Sequence, residues 1–206
     1  MKKTSLIGLS RLRLTTDGHG VTTLVAFHGC PLRCKYCLNP QCLREDSKTM
    51  RLTAEQIYKV LKKDELYFLA TKGGATFGGG EPLLNAEFIK EVLELGAKKW
   101  HTTVETSLNI PLEQLKMVFP YIDEYMVDVK DIDAAIYKRY TGKDNKQVIS
   151  NLKWLIAMGK GNHILCRIPF IPGFNNEENQ RQSIAILKEW GINRFDKFTY
   201  KTDIKK

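Results

Sequence analysis

Three cysteines, Cys30, Cys34 and Cys37, stand within eight residues of this 206-residue chain. Their spacing, Cys-x3-Cys-x2-Cys, places three thiols on one short loop. A structural zinc site is closed by four protein ligands, which are usually supplied as Cys-x2-Cys pairs. Neither a second pair of cysteines nor a pair of histidines follows this loop in the sequence. A [4Fe–4S] cluster can instead take three protein thiolates and leave its fourth iron open to another ligand. The array therefore favours a catalytic iron–sulfur site.

Two other interpretations of these cysteines stay open. The three thiols can be unrelated buried residues, or they can form a zinc site that Cys42 or His28 completes. A fourth thiolate would close the site, so we expect Cys42 to be a bystander. Cys166 stands in an apolar run and is expected in the core.

The hydrophobic pattern predicts an α/β chain of six βα units. The expected strands are 22–27, 75–77, 101–106, 124–129, 164–168 and 195–200. The expected helices are 53 to about 70, 85–95, one begun by Pro111, 146–158 and 177–190. A full eight-stranded (β/α) barrel takes about 250 residues. The chain length therefore predicts an incomplete (β/α)6 barrel of the TIM type.

Composition places the chain among globular proteins, since it is 43% hydrophobic and 27% charged. The length predicts a single domain over 1–206. No apolar run reaches the roughly 20 residues of a membrane span, so a cytoplasmic protein is expected. The formal charge of +9 comes from basic residues scattered along the chain. That scatter favours a solvated surface and argues against a nucleic-acid site.

Polar residues follow several other predicted strands, where a (β/α) barrel gathers its chemistry. Glu81, after three glycines, can accept a hydrogen bond from a cationic amine. Glu105 and Thr106 end the third strand, and surface salt bridging is the alternative role for this acid. Lys130 and Arg167 lie in or beside apolar strands, where an unpaired charge is costly, so each should meet an anion. An internal pair of Asp128 with Lys130 is the alternative, although residues two apart in a strand are not an ideal pair geometry.

The segment Gly29–Pro40, GCPLRCKYCLNP, and the preceding Asp17–Thr22, DGHGVT, resemble the radical S-adenosylmethionine (SAM) superfamily. Within it they are similar to activating enzymes of glycyl-radical enzymes, such as pyruvate formate-lyase activating enzyme. The resemblance implies that Cys30, Cys34 and Cys37 hold a [4Fe–4S] cluster. It also implies that the run Gly79-Gly80-Glu81-Pro82 binds the amino group of SAM. Tyr36, before the last cysteine, would lie by the adenine, with plain loop packing as its alternative.

The same resemblance implies further ligand contacts. Lys130 and Arg167 would meet the SAM carboxylate. Met126 and Asp128 alternate with Lys130 along the fourth strand, on one face. Glu105, Thr106 and Met126 would hold a monovalent cation, although the family acid is typically aspartate.

The sequence departs from the family at both ends. His19 and Thr22 stand where the family has proline and arginine, and Tyr200-Lys201 where it has a histidine that contacts SAM.

The resemblance implies an enzyme that cleaves SAM reductively to a 5′-deoxyadenosyl radical and forms a glycyl radical on a partner enzyme. An incomplete barrel suits a polypeptide substrate, because its open side can admit a loop. A reduced flavodoxin or ferredoxin would supply the electron, and a basic enzyme attracts such acidic donors. The alternatives are a radical SAM enzyme for a ribosomal peptide or small molecule, and a non-catalytic iron–sulfur protein.

Overall fold

The computed structural model describes residues 2–14, 16–96, 99–200 and 202 of the chain. The residues form two compact units, each assembled from several segments. The first unit comprises Met1–Cys30, Asn39–Thr106 and Pro111–Tyr125. The second unit comprises Pro31–Leu38, Ser107–Ile110 and Met126–Lys206. The cysteine loop, residues 29–40, therefore contributes residues to both units.

Among the described residues, eight strands form one sheet in the order β3-β1-β2-β4-β5-β6-β7-β8. Their bounds are β1 Lys3–Leu14, β2 Val21–Phe27, β3 Met50–Thr53, β4 Gly74–Gly79, β5 His101–Thr106, β6 Glu124–Asp128, β7 Ile164–Phe170 and β8 Arg194–Thr199. β2 pairs in parallel with β4, β4 with β5, and β7 with β8. The predicted α/β class is confirmed, and all six predicted strands are present within two residues of their expected ends.

Two strands were not predicted. β1 pairs antiparallel with β2 on one side and with β3 on the other. β3 has only four residues, and both β1 and β3 are largely half-buried or exposed. Their apolar alternation is therefore too weak to mark a strand in the sequence.

Seven α-helices lie within the described ranges. They are α1 Ala54–Lys62, α2 Glu65–Thr71, α3 Ala86–Glu94, α4 Leu112–Val118, α5 Ala134–Thr141, α6 Lys146–Ala157 and α7 Glu177–Glu189. The capping box predicted at Thr53 and Gln56 is present. None of the helices of the described residues has the length and apolarity needed to cross a membrane.

Helices α1, α2 and α5 differ from the prediction. The helix expected from 53 to about 70 is two helices, because the chain turns at Asp64, whose side chain is fully buried. Helix α5 was missed, although its end signals are in the sequence. Asp133 caps its first turn by accepting hydrogen bonds from two backbone amides, and Gly142 ends it in the left-handed conformation at φ +79°.

One buried carboxylate joins three parts of the first unit. Asp64 accepts two hydrogen bonds from Arg11 Nε, at 3.0 and 3.1 Å, and one from Arg11 Nη2 at 2.5 Å. It also accepts one from Thr23 Oγ1 at 2.7 Å. Burial alone would raise the pKa of Asp64, but the hydrogen bonds from Arg11 and Thr23 outweigh it and lower the pKa. The carboxylate thus ties β1 and β2 to the start of α2.

We expect Asp64→Asn to lower the free energy of unfolding by about 1–3 kcal/mol, because it weakens charge-assisted hydrogen bonds in a buried site. A lowered folded pKa means that this contribution is complete above the unfolded-state pKa of about 3.9. It is lost as pH falls through the folded pKa. Urea unfolding of both proteins at pH 7 and at pH values descending below 4 measures the difference.

Asp46→Asn is the matched control, because the Asp46 pair with Arg44 is exposed and 3.6 Å long. It should leave stability unchanged. Equal stability of the Asp64 variant and the wild type at pH 7 would contradict the assignment.

Candidate active site

The cysteine loop starts directly where β2 ends, and its first residues are held by main-chain hydrogen bonds in the first unit. The Gly29 amide donates to the Cys42 carbonyl at 2.9 Å, and the Gly29 carbonyl accepts from the Glu81 amide at 2.8 Å. The backbone next to Cys30 is therefore fixed on both sides. Neither bond uses a thiol.

Glycines after β4 allow this close contact between two backbones. The Gly80 amide donates to the Phe27 carbonyl at 2.9 Å. A Cβ added to Gly80 would lie 2.1 Å from the Gly29 carbonyl oxygen, and one added to Gly79 would lie 2.7 Å from the Phe27 nitrogen. Gly79 also has φ +97°, which L side chains rarely adopt. The family resemblance implies that these glycines bind a ligand. Their close contact with residues 27–29 is a second reason why both positions require glycine.

Asn39 makes a further link that the sequence analysis missed. Its side-chain Nδ2 donates to the Gly79 carbonyl at 3.0 Å, and its own carbonyl accepts from the Cys42 amide at 3.0 Å. Cys42 is almost fully buried at 1% exposure. Asparagine is common in turns, so its presence alone gave no signal for this role.

The predicted acidic residues of the first unit lie near one another. Glu81 is 1% exposed, and its Oε1 accepts a hydrogen bond from Thr106 Oγ1 at 2.7 Å. The same oxygen accepts from the Leu83 amide at 3.3 Å. Glu105 Oε2 lies over Gly78, where an added Cβ would approach it to 2.9 Å. Two residues predicted to hold different parts of the ligands, Glu81 and Thr106, are thus in direct contact.

In the second unit, the cysteine loop is held by the C-terminal end of α5. The Arg33 amide donates to the Thr141 carbonyl at 2.8 Å, and the Lys35 amide donates to the Tyr140 carbonyl at 3.2 Å. Carbonyls in the last turn of a helix have no partner within the helix. The two amides flanking Cys34 satisfy them, so this helix fixes the backbone around that thiol.

A small core lies against the same loop. It consists of Tyr140, Ile171 and Tyr200, and Cys34 and Tyr36 pack against it. We refer to these three residues as the Tyr140 core. Tyr36 donates from its hydroxyl to the Pro172 carbonyl at 3.2 Å. The packing expected as an alternative for Tyr36 is therefore present, and an adenine contact stays a prediction.

Asp128, Lys130 and Arg167 form one charged network in the second unit. Lys130 Nζ donates to Asp128 Oδ2 at 2.8 Å, and Arg167 Nε donates to Asp128 Oδ1 at 2.6 Å. Lys130 Nζ also donates to the Tyr200 hydroxyl at 2.7 Å. The expectation that Asp128 and Lys130 are badly placed for a pair is wrong, because β6 ends at Asp128 and the chain is no longer a regular strand at Lys130.

Electrostatics within this network follow from burial and pairing. Burial would raise the pKa of Asp128, but Lys130 and Arg167 outweigh it and hold that pKa well below its usual range. Burial would lower the pKa of Lys130, but Asp128 outweighs it and raises the pKa. Burial raises the pKa of the Cys34 thiol to about 11, with Lys130 acting in the opposite direction. Lys130 thus offsets only part of the effect of burial on the Cys34 thiol.

The thiols suit the three-thiolate cluster that the motif predicts. All five cysteines lie among the described residues and form no disulfide, and Cys30, Cys34 and Cys37 are half-buried, whereas Cys42 and Cys166 are buried. The core position predicted for Cys166 is confirmed, since it is 0% exposed. Within the described ranges, no three or more His, Cys, Asp or Glu side chains are arranged to hold a single metal ion. A cubane cluster binds each thiolate to a different iron, so its ligands need not converge on one point.

Two predicted residues have less support from the geometry. Met126 is buried in β6 at 7% exposure, without a contact that indicates a ligand. Lys201, in the place of the family histidine, lies outside the described residues, whereas Tyr200 is buried and contacts Lys130. The contact of Tyr200 with Lys130 was not predicted, because it joins positions 70 residues apart.

The sequence profile of the radical SAM superfamily matches residues 24–181. A pyruvate formate-lyase-activating enzyme from Clostridium pasteurianum is 34% identical, with 84% of this chain and 71% of that protein covered. An isethionate sulfite-lyase activating enzyme from Nitratidesulfovibrio vulgaris is 26% identical, with 85% and 78% covered.

Solved structures support the fold. The crystal structure of SuiB from Streptococcus suis matches with a TM-score of 0.65 at 19% identity, over 89% of this chain and 40% of SuiB. The chain thus spans about two fifths of that protein, and the likeness concerns the fold alone. The superfamily profile covers the cysteine loop and strands β3 to β7, and the two relatives are matched over most of their length. This chain belongs to the radical SAM superfamily, among the activating enzymes of glycyl-radical enzymes.

Proposed function

We propose that this chain cleaves SAM reductively and uses the resulting radical to remove a hydrogen atom from a glycine of a partner enzyme. The observation that carries the proposal is the cysteine loop itself. Three half-buried thiols lie on a loop that starts at the end of β2 and is held by main-chain bonds on both sides of Cys34. These main-chain bonds hold the loop in place through its backbone.

Membership of the superfamily implies a [4Fe–4S] cluster and SAM, and Cys30, Cys34 and Cys37 would hold the cluster. When bound and reduced, the cluster supplies the electron that breaks the S–C5′ bond of SAM, which yields methionine and a 5′-deoxyadenosyl radical. The Lys130 ammonium beside Cys34 offsets part of the negative charge that three thiolates bring into a buried site.

Lys130 and Arg167 would bind the carboxylate of SAM. Both cations donate to one carboxylate, Asp128, which holds them close together. Lys130 is only 5% exposed. Two neighbouring cations in a largely buried site favour an anionic ligand. Asp128 would position both cations.

The amino group of SAM would bind at Gly79, Gly80 and Glu81. Glu81 is buried, and its carboxyl oxygens can accept hydrogen bonds from an ammonium group. Thr106 donates to the same carboxylate and would orient it. A monovalent cation at Glu105, Thr106 and Met126, and adenine beside Tyr36, belong to the same proposal.

The remaining parts of the proposal concern the setting of the enzyme. A reduced flavodoxin or ferredoxin would deliver the electron, and the formal charge of +9 favours association with such an acidic protein. We also propose a cytoplasmic location and a single functional domain over 1–206.

We expect Cys34→Ala to abolish cluster binding and 5′-deoxyadenosine formation, because two thiolates cannot replace three. Iron and sulfide per chain, the visible absorbance of the reconstituted protein, and product after anaerobic reduction with SAM measure this. Cys42→Ala is the matched control and should retain all three signals. Wild-type turnover by the Cys34 variant would refute its role as a ligand, and loss of the cluster in the Cys42 variant would refute the bystander role.

Lys130→Met should raise the dissociation constant for SAM about 10- to 100-fold, because it removes a charge-assisted hydrogen bond from a buried site. Lys153→Met removes an equal charge from an exposed lysine that lies over Trp190, and it should leave the constant unchanged. Equilibrium binding of SAM to the cluster-loaded proteins provides the comparison. An unchanged constant in the Lys130 variant would rule out the carboxylate contact.

The partner enzyme is tested with glycyl-radical enzymes encoded beside this chain. With SAM and reductant, a true partner should develop the doublet of a glycyl radical in electron paramagnetic resonance spectra. A partner with deuterated glycine should transfer deuterium to 5′-deoxyadenosine. Formation of 5′-deoxyadenosine without a doublet for any candidate would favour a peptide or small-molecule substrate instead.

A further inference from the structure

We propose that five exposed cations in the second unit form the docking surface for an acidic protein that delivers single electrons to the site. They are Arg33, Lys35, Lys138, Arg139 and Lys143, and we call them the basic surface. The inference rests on the proposed function, because it needs an iron–sulfur cluster to receive the electron. It goes beyond the net charge of the chain by naming the residues at which the donor binds.

The five cations belong to two segments that lack acidic residues. Pro31–Leu38 carries two of the cations, and residues 138–143 carry the other three. Neither segment contains Asp or Glu. The nearest acid along the chain is Asp144, whose Oδ1 accepts a hydrogen bond from the Lys146 amide at 3.0 Å. Five positive charges thus stand in these two segments without a negative one.

The fold holds the two segments side by side. The Arg33 amide donates to the Thr141 carbonyl at 2.8 Å, and the Lys35 amide donates to the Tyr140 carbonyl at 3.2 Å. A Cβ added to Gly142 would lie 3.9 Å from the Arg33 Cβ. Cations that are scattered in the sequence therefore come together on neighbouring exposed backbone.

Arg139 is held in place more firmly than most exposed cations. Its Nη2 donates to the Phe174 carbonyl, and its guanidinium carbon lies 5.4 Å from the centroid of the Phe174 ring. A guanidinium group has five N–H donors, so others stay available to a carboxylate. A side chain that is already ordered loses less entropy when a partner binds. Arg139 is thus suited to bind an acidic group of another protein.

The basic surface also differs from other exposed cations in its lack of internal partners. Elsewhere, Lys2 pairs with Glu87 at 2.6 Å and Lys99 with Glu65 at 2.8 Å. Within the described part of the chain, the four cations of the basic surface other than Arg33 form no ion pair. Their positive charge is therefore not offset by neighbouring carboxylates and can act on an acidic partner.

The place of this surface in the chain favours an electron donor among acidic proteins. Arg33 and Lys35 flank Cys34, whose thiolate would bind the cluster. A protein bound here lies against the segment that holds the cluster. One electron then leaves the donor and reduces the cluster, with no bond formed or broken. A polypeptide substrate must instead bring a glycine into contact with the radical carbon. Complementary charge raises the rate of association, which suits a transient carrier.

The test measures binding and electron transfer separately on the cluster-loaded protein. The variant is Lys138→Glu combined with Lys143→Glu, because both lysines lie outside the cysteine motif. The probe is an acidic flavodoxin, oxidised for equilibrium binding and reduced for the rate of cluster reduction. We expect the dissociation constant to rise about tenfold at low ionic strength and the rate to fall by a similar factor. Both differences should shrink as salt is added.

Lys153→Glu combined with Lys188→Glu is the matched control. It makes the same change in net charge at two exposed lysines of α6 and α7, and it should bind flavodoxin like the wild type. Photoreduced 5-deazariboflavin, a small reductant without net charge, should reduce the cluster of both variants at the wild-type rate. If glutamates destabilise the end of α5, glutamines at positions 138 and 143 remove the two charges and should give a smaller shift in the same direction.

A dissociation constant equal to those of the wild type and the control would overturn the inference and leave the proposed function intact. Normal reduction by flavodoxin, together with loss of the glycyl radical when deazariboflavin supplies the electron, would also overturn it. The surface would then serve the glycyl-radical partner. A wild-type chain that takes up no cluster would overturn the proposed function as well.

Discussion

A loop whose three thiols are to bind one cluster must have its backbone fixed, and main-chain hydrogen bonds do this within each of the two units. In the first unit, Gly29 is fixed by the Cys42 carbonyl and the Glu81 amide. In the second unit, the amides on either side of Cys34 bind the last carbonyls of α5. The glycine run after β4 exists partly for the same reason, because a side chain at Gly80 would collide with the Gly29 carbonyl.

In the second unit, two buried or half-buried cations share one carboxylate. Asp128 is the acceptor for both Lys130 and Arg167, so neither cation is buried without a counter-ion. The shared carboxylate holds the two cations close together, so that one anionic ligand could meet both of them. A buried pair of this kind is also costly to break, because removal of Asp128 would leave two cations without this partner.

The sequence predicted the parts of the fold that depend on local pattern. Five of the six predicted strands are largely buried and carry apolar runs, whereas β8 is largely exposed. Thr53 and Gln56 marked a helix start by their own chemistry. Strands β1 and β3 were not predicted because their exposure weakens the alternation of apolar and polar residues. The break between α1 and α2 at Asp64 was not predicted either, because it depends on Arg11, which lies 53 residues earlier. At the site, the cysteines were predicted as ligands from their type and spacing, and the glycines and Glu81 from the resemblance to the family. The contacts of Asn39, Tyr140 and Tyr200 bring distant positions together, and no local pattern encodes them.

Main-chain and side-chain roles separate clearly at Tyr140. Its carbonyl positions the cysteine loop, and any residue that continues α5 supplies such a carbonyl. Its ring fills the Tyr140 core, which phenylalanine also does. Its hydroxyl lies in the same buried group as Tyr200, which raises the pKa of Tyr140 and accepts a hydrogen bond from Lys130. The core that packs against Cys34 is therefore linked through Tyr200 to the charged network of Asp128, Lys130 and Arg167. A change in that network would then also disturb the packing that supports the cysteine loop.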